Sequence, residues 1–331
     1  MSGAGTAGTA GGIVVTVTPN PSLDRTVEVP ALTRGAVLRA TAHRVDPGGK
    51  GVNVSRVLAR FGHPTLAVMP GGTGELAELL RAAGIQPVST PARGVTRVNT
   101  ALVEPDGTTT KVNEPGVELA AAEVDVLVDT VAVHAAPAAW VVTAGSVPRG
   151  APDDLHARIV TAARRGGGPA TRVAVDTSGP ALAAAVAAGP DLVKPNVAEL
   201  AELVGHPLPR LADVLAATDE LRAGGVGTVL VSMGAAGALV AAPEGTWHCA
   251  AEPVTAVRST VGAGDSTLAG YLLARTSGAS PADALVHAVA CGAAAVGLPG
   301  TAVPGPADVD VTSVKPASAP PESLDLTGEA A

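Results

Sequence analysis

Asp265 is the only carboxylate in "STVGAGDSTLAG", residues 259–270, and it stands just behind two glycines where an apolar segment with helical character begins. The first turn of a helix has free N–H groups and the positive end of the helix dipole, so it attracts anions. One use of an aspartate there is to cap the helix. Gly262 and Gly264 suggest another, because a backbone bare of side chains can approach a ligand closely, as phosphate-cradling loops do.

Four more polar signatures follow apolar runs: "TPNPSLD" after "IVVTV" (13–17), "GSVP" after "WVVTA", "KPNVAE" after "DLV", and "SMGAAG" after "TVLV". Short β-branched runs of this kind read as buried strands. In an open parallel α/β sheet, ligands bind beyond the carboxyl ends of the strands, which is where all of these signatures fall. Helical segments must then lie between the strands. In "VNVSRVLARFG", Val54, Val57, Leu58 and Phe61 recur at i, i+3, i+4 and i+7, the pattern of an amphipathic helix. "ELAELLRAAG" repeats it and ends at Gly84, and "SPADALVHAVACGAAAVG" is a late helix with Ser280 as its N-cap. From about residue 119, strand-like and helix-like segments alternate, which predicts a mainly parallel sheet covered on both faces.

Two insertions break this rhythm. "RTVEVP" and "VLRATAHRV" alternate as strands with one exposed face, and "RVNTALVEPDGTTTKVNEPG" reads as a hairpin turning at Pro105-Asp106-Gly107. These insertions, near 25–46 and 97–113, predict a small sheet standing off the main domain. The ends, 1–12 and 305–331, are rich in Gly, Ala, Pro and Ser and read as mobile tails around a domain at 13–304.

Composition narrows the function. Aromatic residues make up 1% of the chain, so the core must be built from Ala, Val and Leu. A net charge of −8 without a basic cluster disfavours nucleic acid as a partner. No run is apolar enough for a membrane span, because Ser232, Gly234 and Gly237 interrupt the most apolar stretch. The start lacks the basic and apolar regions of a signal peptide, and Cys249 and Cys291 lack CxxC spacing, which together suggest a reducing cytoplasm. His43, His63, His134, His156, His206, His248 and His287 show no metal-ligand spacing. No GxSxG is present to support a serine hydrolase, and no GxGxxG follows the first strand to support a dehydrogenase.

The order and wording of "TPNPSLDRTVEVP", "PGGKGVNVSRVLARFG", "TRVN", "GSVP", "VKPNVAEL", "SMGAAGAL" and "STVGAGDSTLAG" resemble the ribokinase-like, PfkB-type carbohydrate kinases. The resemblance covers roughly residues 13 to 304. It is nearest to the branch of phosphosugar kinases that includes 1-phosphofructokinase and tagatose-6-phosphate kinase, where "NPSLD" occurs together with "GGKG".

The resemblance implies a ribokinase-like α/β/α sandwich with a small β-sheet lid, and transfer of the γ-phosphoryl group of ATP to a phosphosugar. Fructose 1-phosphate is the first substrate expected, with tagatose 6-phosphate and fructose 6-phosphate as alternatives. A catalytically dead sugar-phosphate sensor on the same fold is the alternative from another class. Asp265 matches the family's base, and the amides of Gly262, Ala263 and Gly264 its anion hole. Glu199 matches the glutamate that holds Mg²⁺ mostly through water, although a first-turn glutamate is also an ordinary helix feature. Lys194 and Asn196 would face the nucleotide phosphates, and Ser232, Gly234, Ala235 and Gly237 would form the loop over the nucleotide.

On the sugar side, Asp24, Gly48, Gly49 and Asn53 would meet the ring. Lys50 and Arg97 would grip its phosphate, with Asn99 and Ser146 nearby. The family also implies a homodimer formed through the lid, where "VEVPAL" offers an apolar face, and in some members activation by a monovalent cation.

Overall fold

The computed structural model describes residues 12–251, 257–318 and 320–327. The chain begins with β1 (Ile13–Val17), β2 (Ser22–Glu28), β3 (Ala42–Gly48), α1 (Lys50–Arg60), β4 (Thr65–Pro70), α2 (Glu75–Ala82), β5 (Gln86–Thr90), β6 (Arg97–Val103) and β7 (Thr109–Asn113). It continues through α3 (Ala121–Ala135), β8 (Ala138–Ala144), α4 (Leu155–Gly167), β9 (Arg172–Asp176), α5 (Gly179–Ala187), β10 (Leu192–Val193), α6 (Val197–Val204) and α7 (Leu211–Ala223). Then come β11 (Thr228–Ser232), β12 (Ala238–Ala242), β13 (Gly245–Cys249), α8 (Ala263–Thr276) and α9 (Pro281–Val296).

Nine strands form one sheet in the order β13-β12-β11-β10-β9-β8-β1-β4-β5. Its pairings are parallel from β11 through to β5, and only β12 and β13 are antiparallel. Alternation along each strand feeds two cores. Val15, Val17, Val141, Val173 and Val175 point to the layer of α3, α4 and α7. Val14, Trp140, Val142 and Ala174 point to the layer of α1, α8 and α9, where Val54, Val57 and Leu58 are fully buried. With so few aromatic side chains, density comes from close backbone approach. A Cβ at Gly270 of α8 would lie 2.6 Å from the His287 carbonyl of α9, so these helices pack nearly backbone to backbone.

The two insertions form a separate four-stranded sheet, β3-β2-β6-β7. Its hairpin turns where Pro105-Asp106-Gly107 was expected to turn it, with the Glu104 amide donating to the Thr108 carbonyl at 2.9 Å. The chain passes between main body and small sheet at β1–β2, β3–α1, β5–β6 and β7–α3. Most of the residues expected to meet the sugar lie at these crossings. One strand is shorter than its alternation suggested: of "VLRATAHRV" only Ala42 onward pairs, and Val37 is fully solvated.

The C-terminal stretch, expected as a mobile tail, is docked along the body over its described residues. Val314 and Leu326 are buried, the Leu326 amide donates to the Pro209 carbonyl at 2.8 Å, and Ala317 exchanges backbone hydrogen bonds with His248. β13 is an edge strand with unpaired backbone groups, and this pairing partly covers it. Composition averages over such isolated anchors and misses them. Of the expected N-terminal tail, residues 1–11 lie outside the described residues.

Candidate active site

Gly262 adopts the left-handed conformation (φ 77°) and is the N-cap of α8. Asp265 follows in the first turn, and its side chain makes no capping bond to the helix. Its buried carboxylate instead accepts a hydrogen bond from Asn53 Nδ2 of α1 at 2.9 Å. Burial, with the nearby Asp176 charge added, raises its pKa to about 6, against the opposing pull of Asn53, Lys50 and Lys194. Of the three amides expected as an anion hole, that of Ala263 makes a long 3.4 Å contact with the Thr260 carbonyl. Those of Gly262 and Gly264 stand at the helix opening, where no intrahelical carbonyl faces them.

Asp176, at the carboxyl end of β9, anchors two cations. Lys50 Nζ lies 2.8 Å from Oδ1 and Lys194 Nζ 3.1 Å from Oδ2. Burial alone would raise the Asp176 carboxyl, but Lys194 and Lys50 together outweigh it and hold it below the ordinary carboxylate value. The Asp176 charge in turn raises the Lys50 ammonium, against the cost of burial and with help from Glu199. Lys194 is buried, and a Cβ at Gly264 would approach its Nζ to 3.3 Å, so the end of β10 meets the opening of α8.

Asn196 and Glu199 form a reciprocal capping box on α6. Asn196 Oδ1 accepts from the Glu199 amide at 2.7 Å, and Glu199 Oε2 accepts from the Asn196 amide at 2.9 Å. Glu199 Oε1 faces away from that box and lies 3.9 Å from Lys50 Nζ. The "SMGAAG" loop sits beside this helix start. The Ser232 amide donates to the Pro195 carbonyl at 3.1 Å, and Gly234 and Ala235 are exposed on a single 3₁₀ turn. Gly237 runs against the Cys249 carbonyl, leaving no room for a side chain.

On the other side, the buried Asp24 carboxylate accepts from Ser22 Oγ at 2.8 Å and from Asn99 Nδ2 at 3.0 Å. A Cβ at Gly48 would overlap it. Gly49, at φ 106°, brings the chain against Thr18. Arg97 Nη2 donates to the Asn20 carbonyl at 3.1 Å, and Asn20 Nδ2 donates to Ser146 Oγ at 3.2 Å. Thr18 Oγ1, Asn20 Oδ1, Arg97 Nε and Asn99 Oδ1 are buried atoms with no hydrogen-bond partner among the described residues. Four such atoms around Asp24 and Gly49 are what a polyhydroxylated ligand would satisfy.

Family comparison decides the class. The pfkB family carbohydrate kinase pattern matches residues 18–308. The chain belongs to that family. It is a phosphotransferase with an alcohol group as acceptor and ATP as co-substrate. The chain is 41% identical over 299 residues to a 1-phosphofructokinase of Rhodobacter capsulatus, covering 88% of this chain and 93% of that protein. It is 36% identical over 304 residues to the ATP-dependent 6-phosphofructokinase isozyme 2 of Mycobacterium tuberculosis (strain H37Rv), covering 90% and 88%. Phosphofructokinase-2 of Escherichia coli, solved in complex with substrates and products, superposes with a TM-score of 0.83 at 33% identity, over 91% of this chain and 97% of that one. It has also been solved in complex with potassium.

In this kinase Asp265, Gly262 and Gly264, expected at the base, lie together with Lys194, which was expected at the nucleotide phosphates, and with Asn53, which was expected at the sugar ring. Lys50 sits differently from its expectation. It was expected beside Arg97 on the sugar phosphate, but its Nζ lies between Asp176 and Glu199, whereas Arg97 is held by Asn20 and feels the charge of Asp24. The reason lies in what faces it across the fold. Asp176 is the buried anion facing the first turn of α1, and a lysine there neutralises it. Sequence reasoning passed over Asp176, Asn20 and Arg56. Asp176 ends "RVAVD", a strand end of the same kind as those that were read, and Asn20 lies inside the quoted "TPNPSLD".

Proposed function

We propose that the kinase transfers the γ-phosphoryl group of ATP to fructose 1-phosphate, giving fructose 1,6-bisphosphate. The observation that carries the phosphoryl-transfer part of this reading is a buried carboxylate with a pKa of about 6 at a glycine-opened helix start, close to the cluster in which Asp176 holds Lys50 and Lys194. A base effective near neutral pH should have a pKa close to the operating pH, and burial supplies that shift. Asp265 takes the proton from the acceptor hydroxyl. The amides at Gly262 and Gly264 stabilise charge on the transferring group. Lys50, between Glu199 and the neighbourhood of Asp265, lies where that group passes. Lys194 and Asn196 hold the nucleotide phosphates, and the loop at Ser232, Gly234, Ala235 and Gly237 covers the nucleotide.

Among the described residues no group of three or more His, Cys, Asp or Glu is placed to hold a metal. Glu199 Oε1, left over from the capping box, fits one water-mediated contact to Mg²⁺, most of whose ligands would then be phosphate oxygens and water. Bound there, Mg²⁺ would offset the negative charge of the phosphates. A monovalent cation belongs to the same reading, supported by the potassium complex of the Escherichia coli relative. Comparing kcat in potassium and tetramethylammonium salts tests it.

Arg97, Asn99, Asp24 and Asn20 serve the sugar and its phosphate. The relatives named 1-phosphofructokinase favour the 1-phosphate, and those named 6-phosphofructokinase isozyme 2 support fructose 6-phosphate as a second reading. Phosphorus NMR of the product formed from fructose 1-phosphate and ATP distinguishes a new phosphate on C6 from no reaction. The absence of fructose 1,6-bisphosphate would overturn the first reading.

Self-association through the small sheet completes the proposal, supported by Val112 exposed on β7 and Leu32 exposed on the connection between β2 and β3, and sedimentation of a Val112→Glu variant tests it. Among the described residues no helix is long and apolar enough to cross a membrane. The buried free cysteines Cys249 and Cys291 fit a reducing cytoplasm.

A further inference from the structure

We propose that Arg56 is a positioning residue: by fixing which way round the Asn53 amide sits, it holds the Asp265 carboxylate in place for proton removal. An asparagine amide has a carbonyl oxygen and an NH₂ group of nearly equal size. Turned one way, Asn53 donates to Asp265. Turned the other, it sets an oxygen against the carboxylate and repels it. A guanidinium has only donors, so a partner of Asn53 that is an arginine must take the oxygen. Arg56 Nη1 does so, donating to Asn53 Oδ1 at 3.1 Å, and Asn53 Nδ2 is left to donate to Asp265 Oδ2 at 2.9 Å.

Asn53 and Arg56 are three residues apart on α1, which brings them to one side of the helix. The guanidinium is buried and cannot swing away. Nη1 also donates to the Thr301 carbonyl at 3.0 Å, and Nη2 to Asp46 Oδ1 at 3.4 Å. Asp46 is itself fixed, accepting from Arg44 Nε at 2.6 Å and from Thr301 Oγ1 at 3.0 Å. The base is therefore tied through two side chains to β3 of the small sheet and to the segment after α9.

Burying an arginine on a helix whose Val54, Val57 and Leu58 fill the core is costly, and a purely structural position would favour an aliphatic residue. The charged groups around Arg56 are Asp46, Asp24, Arg44 and Arg60, and those around Asp265 are Asp176, Lys50 and Lys194. The Asn53 hydrogen bond is the element that Arg56 controls. Its loss favours the protonated form of Asp265.

This inference rests on Asp265 being the base, and the test separates the two claims. In the full-length protein, Arg56→Ala, Arg56→Lys, Asn53→Ala, Asp265→Asn and the Arg56→Ala/Asn53→Ala double variant are assayed with MgATP and fructose 1-phosphate across pH. Arg56→Ala is expected to lower kcat by roughly 10- to 100-fold, the scale of a misplaced catalytic group. The acidic limb of the kcat profile moves up by about half a pH unit or more, and KM for ATP changes by less than about twofold. Arg56→Lys, which reaches only some of the acceptors, recovers part of kcat, and Arg56→Ala adds little once Asn53 is alanine. An unmoved acidic limb, or losses that multiply in the double variant, would overturn the positioning role. Should Arg56→Ala fail to fold, Arg56→Lys and Asp46→Asn carry the same expectation in weaker form, and an unmoved limb in both would overturn it equally. If Asp265→Asn keeps more than half of kcat, it is the base assignment that fails.

Discussion

Replacing Asp265 by asparagine should remove catalysis and strengthen the fold at the same time. Burial and the neighbouring Asp176 raise this carboxyl from 3.8 to about 6, a shift of about 2 pH units. At about 1.4 kcal/mol per unit, keeping it ionised inside the fold costs on the order of 3 kcal/mol. The sign follows from the direction of the shift. A raised pKa means that the folded state binds the proton more tightly than the unfolded chain does. That contribution is fully present below about pH 4 and is lost as pH rises through 6. Asparagine is neutral throughout and still accepts from Asn53, so the variant escapes the cost that wild type carries at pH 8.

Differential scanning fluorimetry should therefore give a Tm higher by roughly 5 °C for Asp265→Asn at pH 8, with the two curves converging near pH 4. Turnover with MgATP and fructose 1-phosphate should fall by roughly 10²–10⁴-fold, the usual contribution of a positioned base. A variant no more stable than wild type at pH 8, or stabilised equally at all pH values, would refute the account of the burial cost. Retention of more than half of the activity would refute the base.

Three further substitutions probe separate parts of the site. Arg97→Ala should raise KM for the phosphosugar at least about tenfold and leave KM for ATP nearly unchanged, because it removes binding to a phosphate that does not react. Equal changes in both would place Arg97 outside the sugar pocket. Glu199→Gln keeps the capping box, since glutamine also accepts from the Asn196 amide, so Tm should hold while the Mg²⁺ concentration for half-maximal rate rises. An unchanged Mg²⁺ titration would return Glu199 to helix capping alone. Asp176→Asn leaves the buried Lys194 without its anion, and urea unfolding should show a loss of about 3–5 kcal/mol at pH 7. Because the Asp176 pKa is lowered by folding, its contribution is present above the unfolded value and fades as pH falls through the folded one, so the gap from wild type should narrow in acid.

Much of this was legible in the sequence because it rests on local rules. β-branched runs such as "IVVTV" and "WVVTAG" gave buried strands, and the turn residues Pro105-Asp106-Gly107 marked the hairpin. Asp265, Lys194 and Asn196 follow from strand ends and helix starts, whose positions depend on near neighbours in the chain. The partnerships that set their chemistry are not local. Lys50 is 126 residues from Asp176, and Asn53 is 212 from Asp265. No spacing within either segment shows which anion a lysine will find, and so Lys50 was expected beside the sugar phosphate. Arg56 was hidden for a related reason: in an amphipathic pattern one arginine reads as the solvated edge of the helix. The docked C-terminal stretch shows the limit of composition, since Val314 and Leu326 anchor a segment whose other residues are mostly small or polar.

The most direct test of the substrate assignment compares kcat/KM for fructose 1-phosphate, fructose 6-phosphate and tagatose 6-phosphate with saturating MgATP. Exchanging the ends of a fructofuranose ring moves its phosphate little, but it presents Asp24, Asn53 and Asn99 with a different set of hydroxyls. An unpaired buried polar group costs about 1–3 kcal/mol, or roughly ten- to a hundred-fold in rate. Fructose 1-phosphate is predicted to exceed either 6-phosphate by at least about tenfold. Equal efficiencies, or a preference for a 6-phosphate, would contradict the assignment.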